Sequence, residues 1–283
     1  VIHNQSQQRV DYKDAFLEVY GVPIAYTPFF SHPDPTVKAK TGLLAPNYGS
    51  STELGFHIKT PYYVRLSPSN DITLAPTFTS KEGVVMGGQY RKRTQRGRYI
   101  VDASLTQVDQ RDDNNAKTGN KDLRGHVFTS GNFGLGEHWR WGFIGRRTTD
   151  DTYLRRYDVS SDDTLTSRFY VEGSRGSQRL TVDAYAFQGL REEDDPGTSP
   201  LVMPQIQYSY IGKPGPRGDT TRFDASTLSL YRSDGQDTQR LSLSTTWKLP
   251  HKTQDGSIYN LTAQVRGDGY RVTSMPDTST EGV

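Results

Sequence analysis

Apolar and polar residues alternate along most of this chain. From Gln239 to Leu249, Leu241, Leu243, Thr245, Trp247 and Leu249 take one face, and Arg240, Ser242, Ser244, Thr246 and Lys248 take the other. In Tyr259–Arg266, Tyr259, Leu261, Ala263 and Val265 oppose Asn260, Thr262, Gln264 and Arg266. In Arg98–Thr106, Tyr99, Val101, Ala103 and Leu105 oppose Asp102, Ser104 and Thr106, with Ile100 out of phase. In Arg179–Ala186, Leu180, Val182, Ala184 and Ala186 oppose Arg179, Thr181, Asp183 and Tyr185, and Trp139, Trp141 and Phe143 form a further apolar row. A period of two marks a strand with one apolar face. Runs of about 8–11 residues match a tilted membrane-spanning strand and exceed the usual soluble strand of about 5–6.

About twelve such segments follow Ser51. They centre near Ile58, Leu74, Gly88, Ala103, Phe128, Phe143, Tyr170, Ala184, Tyr208, Leu228, Leu243 and Ala263. Tight turns at Ser80–Gly83 and Gly173–Gly176 contrast with long polar connections over Asp109–Lys121, Thr148–Asp163 and Arg191–Pro204. The pattern predicts an all-β fold: a partial antiparallel transmembrane β-barrel. A soluble sandwich or secreted β-protein is the alternative. If the chain enters from the periplasm, the long loops fall on the periplasmic side in this count, against the general rule.

The first fifty residues differ. Tyr12–Tyr20 and Val22–Tyr26 read as two short strands pivoting at Gly21. Pro28, Pro33, Pro35 and Pro46 follow, a density that argues against regular structure. The expected division is therefore 1–50, the end of a small β-domain with a stiff linker, and 51–283, a barrel. The chain starts at Val1 and ends at Val283 beside a strand, as an internal piece of a longer protein would.

Composition sharpens this picture. Hydrophobic residues make up 33% and mean hydropathy is -0.74, low for a soluble core, yet aromatics reach 11% and there are 27 glycines. One-sided strands explain both. The longest apolar run, Ala184–Phe187, is far short of the roughly 20 residues of a membrane helix. Net charge is +2, too balanced for a nucleic-acid binder. Cysteine is absent, so no disulfide or thiolate site is expected.

Catalytic chemistry is not evident. There is no HExxH, Walker A or GxSxG motif, and Gly131–Gly136 lacks nucleotide-binding spacing. The six histidines are scattered, so no metal site and no cofactor is expected. Glu192, Glu193, Asp194 and Asp195 read as a solvated loop tip. A barrel lipase remains a competing class, with His126 or His251 as its base.

Residues 12–93 carry a resemblance. Tyr12–Phe30 resembles the lipopolysaccharide-assembly outer-membrane protein family, LptD or OstA, and Thr41-Gly42-Leu43-Leu44-Ala45-Pro46 is similar to its link into the barrel. Pro61-Tyr62-Tyr63, Ser67–Pro76, Gly83 and Gln89-Tyr90-Arg91 resemble its first barrel strands. Beyond residue 100 the likeness lies in strand rhythm and loop placement.

The resemblance implies the end of a periplasmic β-jellyroll followed by an outer-membrane barrel of a Gram-negative bacterium, and no enzymatic activity. It implies lipopolysaccharide as cargo, a plug lipoprotein inside the barrel, and a periplasmic bridge protein whose binding region lies outside this piece. Ala15, Leu17, Val19, Ile24 and Tyr26 are candidates for an acyl-chain groove. Asp102, Ser104, Thr106, Arg140, Arg179, Asp183, Arg240, Ser242, Ser244, Gln264 and Arg266 are candidates for the polar lumen. Pro61 and Pro76 lie almost symmetrically about Pro68-Ser69, so a hairpin sets them nearly opposite. The resemblance makes them candidates for a lateral gate. Another outer-membrane barrel, a receptor or porin, shares the alternation and is the competing reading.

Overall fold

The computed structural model describes residues 2–4, 9–19, 22–33, 39–111 and 117–273. It divides into two compact units, residues 1–91 and 92–283.

The first unit opens with a three-stranded antiparallel sheet of β1 (Ile2–Asn4), β2 (Arg9–Val19) and β3 (Val22–Pro33). Pro28 and Pro33 thus lie inside a strand, where irregular chain was expected. β3 pairs only with β2 among the described residues, and an edge strand tolerates residues without a backbone donor. Gly21, the expected pivot, lies outside the described residues, as does Pro35.

A second set of strands follows in this unit: β4 (Gly42–Leu43), β5 (Asn47–Ser51), β6 (Gly55–Lys59), β7 (Tyr62–Ser67), β8 (Asn70–Leu74), β9 (Thr77–Thr79) and β10 (Gly83–Thr94). All but β10 are halves of longer strands. β6 with β9 (Lys59↔Thr77) and β7 with β8 (Tyr62↔Leu74) share one register across the gap at Thr60-Pro61 and Ala75-Pro76, and it shifts by one near the turn, between Arg65 and Ser67. β4 and β5 form a further broken strand on the outer edge, pairing β7 and β6 on either side of Pro46. The stretch expected to be linker therefore contributes a strand. Its apolar pattern is too short and too interrupted by Pro46 to betray it.

The second unit is a meander of long antiparallel strands, each pairing with its chain neighbours. They are β11 (Gly97–Arg111), β12 (Lys117–Leu135), β13 (Trp139–Thr148), β14 (Thr164–Arg175), β15 (Gln178–Gly189), β16 (Leu201–Ile211), β17 (Thr220–Tyr231), β18 (Asp237–Lys252) and β19 (Ile258–Thr273). All twelve expected centres fall in strands of the two units. The Asp109–Lys121 connection is shorter than expected, because Asp109 pairs with Lys121 and Arg111 with Lys117. Both faces are polar there, so alternation disappears while the ladder continues.

Three rings sit on glycines across β12, β13 and β14. Phe143 covers Gly131, Tyr170 covers Gly142 and Trp139 covers Gly173, so that a Cβ on any of these glycines would lie 2.5–2.8 Å from ring atoms. These glycines make room for a ring.

One connection folds back on the sheet. After β13 the chain makes a single helical turn, α1 (Tyr153–Arg156), with Tyr153 and Leu154 fully buried. Asp150 sets its start, its Oδ1 accepting from the backbone N–H of Thr152 (3.1 Å) and Tyr153 (2.9 Å). A carboxylate before a helical turn satisfies its free N–H groups.

Candidate functional site

Directly opposed residues in an antiparallel ladder share a face. The register therefore decides whether the polar residues singled out above come together, and it does so on one face of the second unit. Arg140 opposes Glu172, which opposes Thr181, and Asp183 opposes Tyr170. Further along, Arg240 opposes Tyr270, Ser242 opposes Asp268, Ser244 opposes Arg266 and Thr246 opposes Gln264. Asp102, Ser104 and Thr106 lie on this face of β11 through Phe128, His126 and Arg124.

Many of its charges are paired. Arg140 and Arg179 both reach Glu172, Arg179 at 3.4 Å. Arg222 pairs with Asp224 at 2.8 Å, and Asp268 accepts from Arg240 at 3.3 Å and Arg266 at 2.9 Å. Gln264 donates to Ser244 Oγ at 3.1 Å. Asp183 is only 4% exposed; Arg168 donates to it at 2.7 Å while lying 4.5 Å from the Tyr170 ring centroid. Arg179, Arg222, Arg240, Arg266, Asp224 and several serines border one concave region of about 740 Å³. Cations, carboxylates and hydroxyls so arranged suit a hydrated, anionic, sugar-like partner.

The opposite face is apolar and open. Leu243 opposes Ala225 and Gly267, and Leu241, Leu261 and Val265 are 52%, 61% and 76% exposed. Phe133 stacks on Trp141 at 4.6 Å, and Trp141 contacts Phe169 at 6.0 Å. Trp139, Trp141 and Trp247 all lie toward the short-turn ends of their strands. Trp247 donates its indole N–H to Asp219 at 3.1 Å in the β16–β17 connection. Exposed apolar surface on this scale is unusual for a water-facing sheet.

His126 has partners that sequence reasoning missed, because they lie across the ladder. Ser104 Oγ lies 2.7 Å from its Nδ1, Asp102 Oδ1 lies 3.2 Å from its Nε2, and Tyr153 Oη lies 2.7 Å from Ser104 Oγ. The residue types are those of a hydrolase triad, but the imidazole is reversed. Its ring is 5% exposed and the cluster sits under α1 on the polar face. Here it joins a loop to the wall. Arg124 holds the same loop by a bidentate pair to Asp150 (2.8 and 2.5 Å). Burial pushes the Asp150 carboxyl up, but Arg124 and the Thr149 and Thr152 hydroxyls outweigh it and hold it at about 2. Asp163, bonded by Arg191 and Arg155, is likewise held below its ordinary range. No metal-ligating cluster occurs among the described residues.

Pro61 and Pro76 sit one rung apart. Thr60 N–H donates to Pro76 O at 3.0 Å, and Leu44 N–H donates to Pro61 O at 2.9 Å. A residue's N–H and C=O point the same way in a strand. The donor absent at Pro76 would face β6 and β7, and that absent at Pro61 would face the edge strand. Pro46 interrupts that edge strand near the same level.

The groove candidates are only partly brought together. Ala15 opposes Thr27 and Tyr26 opposes Phe16, which puts Ala15 and Tyr26 on opposite faces of the hairpin. Tyr26 packs on Phe16 at 4.9 Å and donates to Asp14 at 2.9 Å. Leu17, Val19 and Ile24 occupy β2 and β3, but their side chains lie outside the described residues.

Comparison with known proteins points to one family. The family model for LptD, described as LPS transport system D, matches residues 122–282. The LPS-assembly protein LptD of Thiobacillus denitrificans is 31% identical over 202 residues, 69% of this chain and 26% of the relative. That of Bordetella pertussis is 29% identical over 228 residues, 77% of this chain and 26% of the relative. That of Salmonella typhimurium is 25% identical over 282 residues, 97% of this chain and 35% of the relative. The chain thus spans 26–35% of the length of these curated relatives. With the family model matching more than half of its residues, the chain belongs to the LptD family.

Proposed function

We propose that this chain is part of an outer-membrane translocon that assembles lipopolysaccharide at the cell surface. The observation that carries the reading is the division of one long-stranded sheet into an exposed apolar face and a face of paired arginines and carboxylates. Lipid on one side and a wet lumen on the other account for both. Relatives bearing the name LPS-assembly protein supply the cargo.

In this reading residues 51–283, with the edge strand before them, form part of a transmembrane β-barrel. Residues 1–50 then hold the end of a periplasmic jellyroll. Counting the edge strand Gly42–Ser51 as the first ascending strand puts the 148–164 and 189–201 connections outside the cell, as long loops require. The polar face would meet the sugar-rich head of the cargo and a plug lipoprotein. A periplasmic bridge protein would deliver the cargo to the jellyroll. Pro61 and Pro76, joined by Pro46, weaken the ladder beside the first hairpin and are assigned to a lateral gate. Depleting the full-length protein should stop newly made lipopolysaccharide from reaching the surface, measured by its accessibility to an enzyme added outside the cell. Undiminished arrival would overturn the reading.

A further inference from the structure

The edge strand is held unevenly. On the turn side of Pro46, Asn47–Ser51 pairs with β6 over five rungs. On the entry side only Gly42 and Leu43 pair with β7, helped by the Leu44 N–H on Pro61 O. The next rungs would join Thr41 to Val64 and Lys40 to Arg65, but the ladder stops, and Arg65 takes over with two bonds of its own. Its backbone N–H donates to Thr41 Oγ1 at 3.0 Å, and its guanidinium Nη1 donates to Ala39 O at 3.1 Å. Asp71, which opposes Arg65 across the hairpin, accepts instead from Arg91 at 2.7 Å. The Arg65 side chain thus turns toward the incoming segment.

We propose that Arg65 is a clasp that holds residues 39–43 on the edge of the first hairpin and sets how readily the proline-broken seam parts. Both bonds end on the incoming segment, one on a backbone carbonyl and one on a hydroxyl. Both lie beyond the last rung, where a two-rung ladder would otherwise fray first. Arginine suits the place because its rigid fork reaches a carbonyl while its backbone stays in the strand. The five-rung half then acts as the hinge and the clasped half as the moving end. The clasp stands on these contacts alone; its consequence for lipid passage rests on the gate reading above.

The test uses the full-length protein. In detergent micelles, hydrogen exchange read by mass spectrometry should show the Gly42 and Leu44 amides exchanging about tenfold faster in Arg65→Ala, as expected when a bond at a frayed end is lost. Thr41→Val should give a smaller rise, Arg65→Lys an intermediate one, and Asn47–Ser51 should not change. Unchanged exchange at Gly42 and Leu44 in both Arg65→Ala and Thr41→Val, or equal acceleration over Asn47–Ser51, would overturn the clasp. In cells dependent on Arg65→Ala, entry of a large hydrophilic antibiotic should rise severalfold at normal protein level. If Arg65→Ala fails to accumulate, Arg65→Lys serves the same comparison. Faster exchange without greater entry would overturn the gating role of Arg65. Pro61→Ala with Pro76→Ala, run alongside, reports separately on the gate.

Discussion

Leu243 and Ser244 are neighbours in the chain but belong to opposite sides of the wall. Leu243 opposes Ala225 and Gly267, while Ser244 opposes Asp224 and Arg266. If the sheet is the wall of a membrane barrel, as proposed, Leu243→Arg sets a cation against lipid at a cost of about 2–4 kcal/mol near mid-bilayer. Ser244→Arg would add one cation beside existing carboxylates. The first should reduce folded full-length protein in the outer membrane and the second should not, as read by the heat-modifiable band on cold gels. Equal loss in both would invert or abolish the face assignment.

Restoring backbone donors at the broken rungs should stiffen the seam. Pro61→Ala adds a donor toward the edge strand, and Pro76→Ala adds one toward β6 and β7. Each recovered bond contributes about 0.5–1.5 kcal/mol. The double variant should accumulate normally yet deliver less lipopolysaccharide to the surface, with greater detergent sensitivity. Normal delivery at normal protein level would leave these prolines as strand breakers only.

Asp183 depends on Arg168. The carboxylate is nearly sealed, so Arg168→Met leaves it without its guanidinium, a change that costs about 3–5 kcal/mol when fully buried and less at this partly open wall. Arg168→Met should lower the yield of folded protein, and adding Asp183→Asn should recover much of it. A double variant as poor as the single one would argue against pairing as the reason for these residues.

The loop after β13 should stay docked until the medium is strongly acidic. The Asp150 carboxyl is held at about 2, below its ordinary value, so its contribution is complete above the ordinary value near 4 and is lost as pH falls toward 2. Screening at this partly exposed site limits that contribution to about 1–2 kcal/mol. Proteolysis at Arg155 and Arg156 should be slow and constant from neutral pH to about 4, using a protease active across that range. Asp150→Asn should make it fast at neutral pH. Rapid cleavage of the unmodified loop at pH 7 would contradict the docking.

Strand positions and faces are legible in the sequence because a sheet with one apolar and one polar face imposes a period of two. Leu180, Val182 and Ala184 needed only to be read in turn. Register was not legible, since it joins residues far apart in the chain. Hence Glu172, which gathers Arg140 and Arg179, goes unrecognised, and so does the pairing of Ser104 with His126. The edge strand was hidden for a different reason: Asn47-Tyr48-Gly49-Ser50-Ser51 offers no apolar alternation, and Pro46 reads as a stop. The family model matches residues 122–282, where strand rhythm rather than local motif carried the likeness.

The rings seated on Gly131, Gly142 and Gly173 act as a vernier for the wall. Sliding β13 by one residue against β12 would set Phe143 against Ser130 or Asn132 and remove the seat for its ring. Sliding it against β14 would likewise move Trp139 off Gly173. Because the seats alternate between the two faces, no single slip satisfies all three. A meander built strand by strand must avoid errors that later strands would copy. This trio gives β12–β14 one alignment that fits, a built-in check on counting midway through assembly.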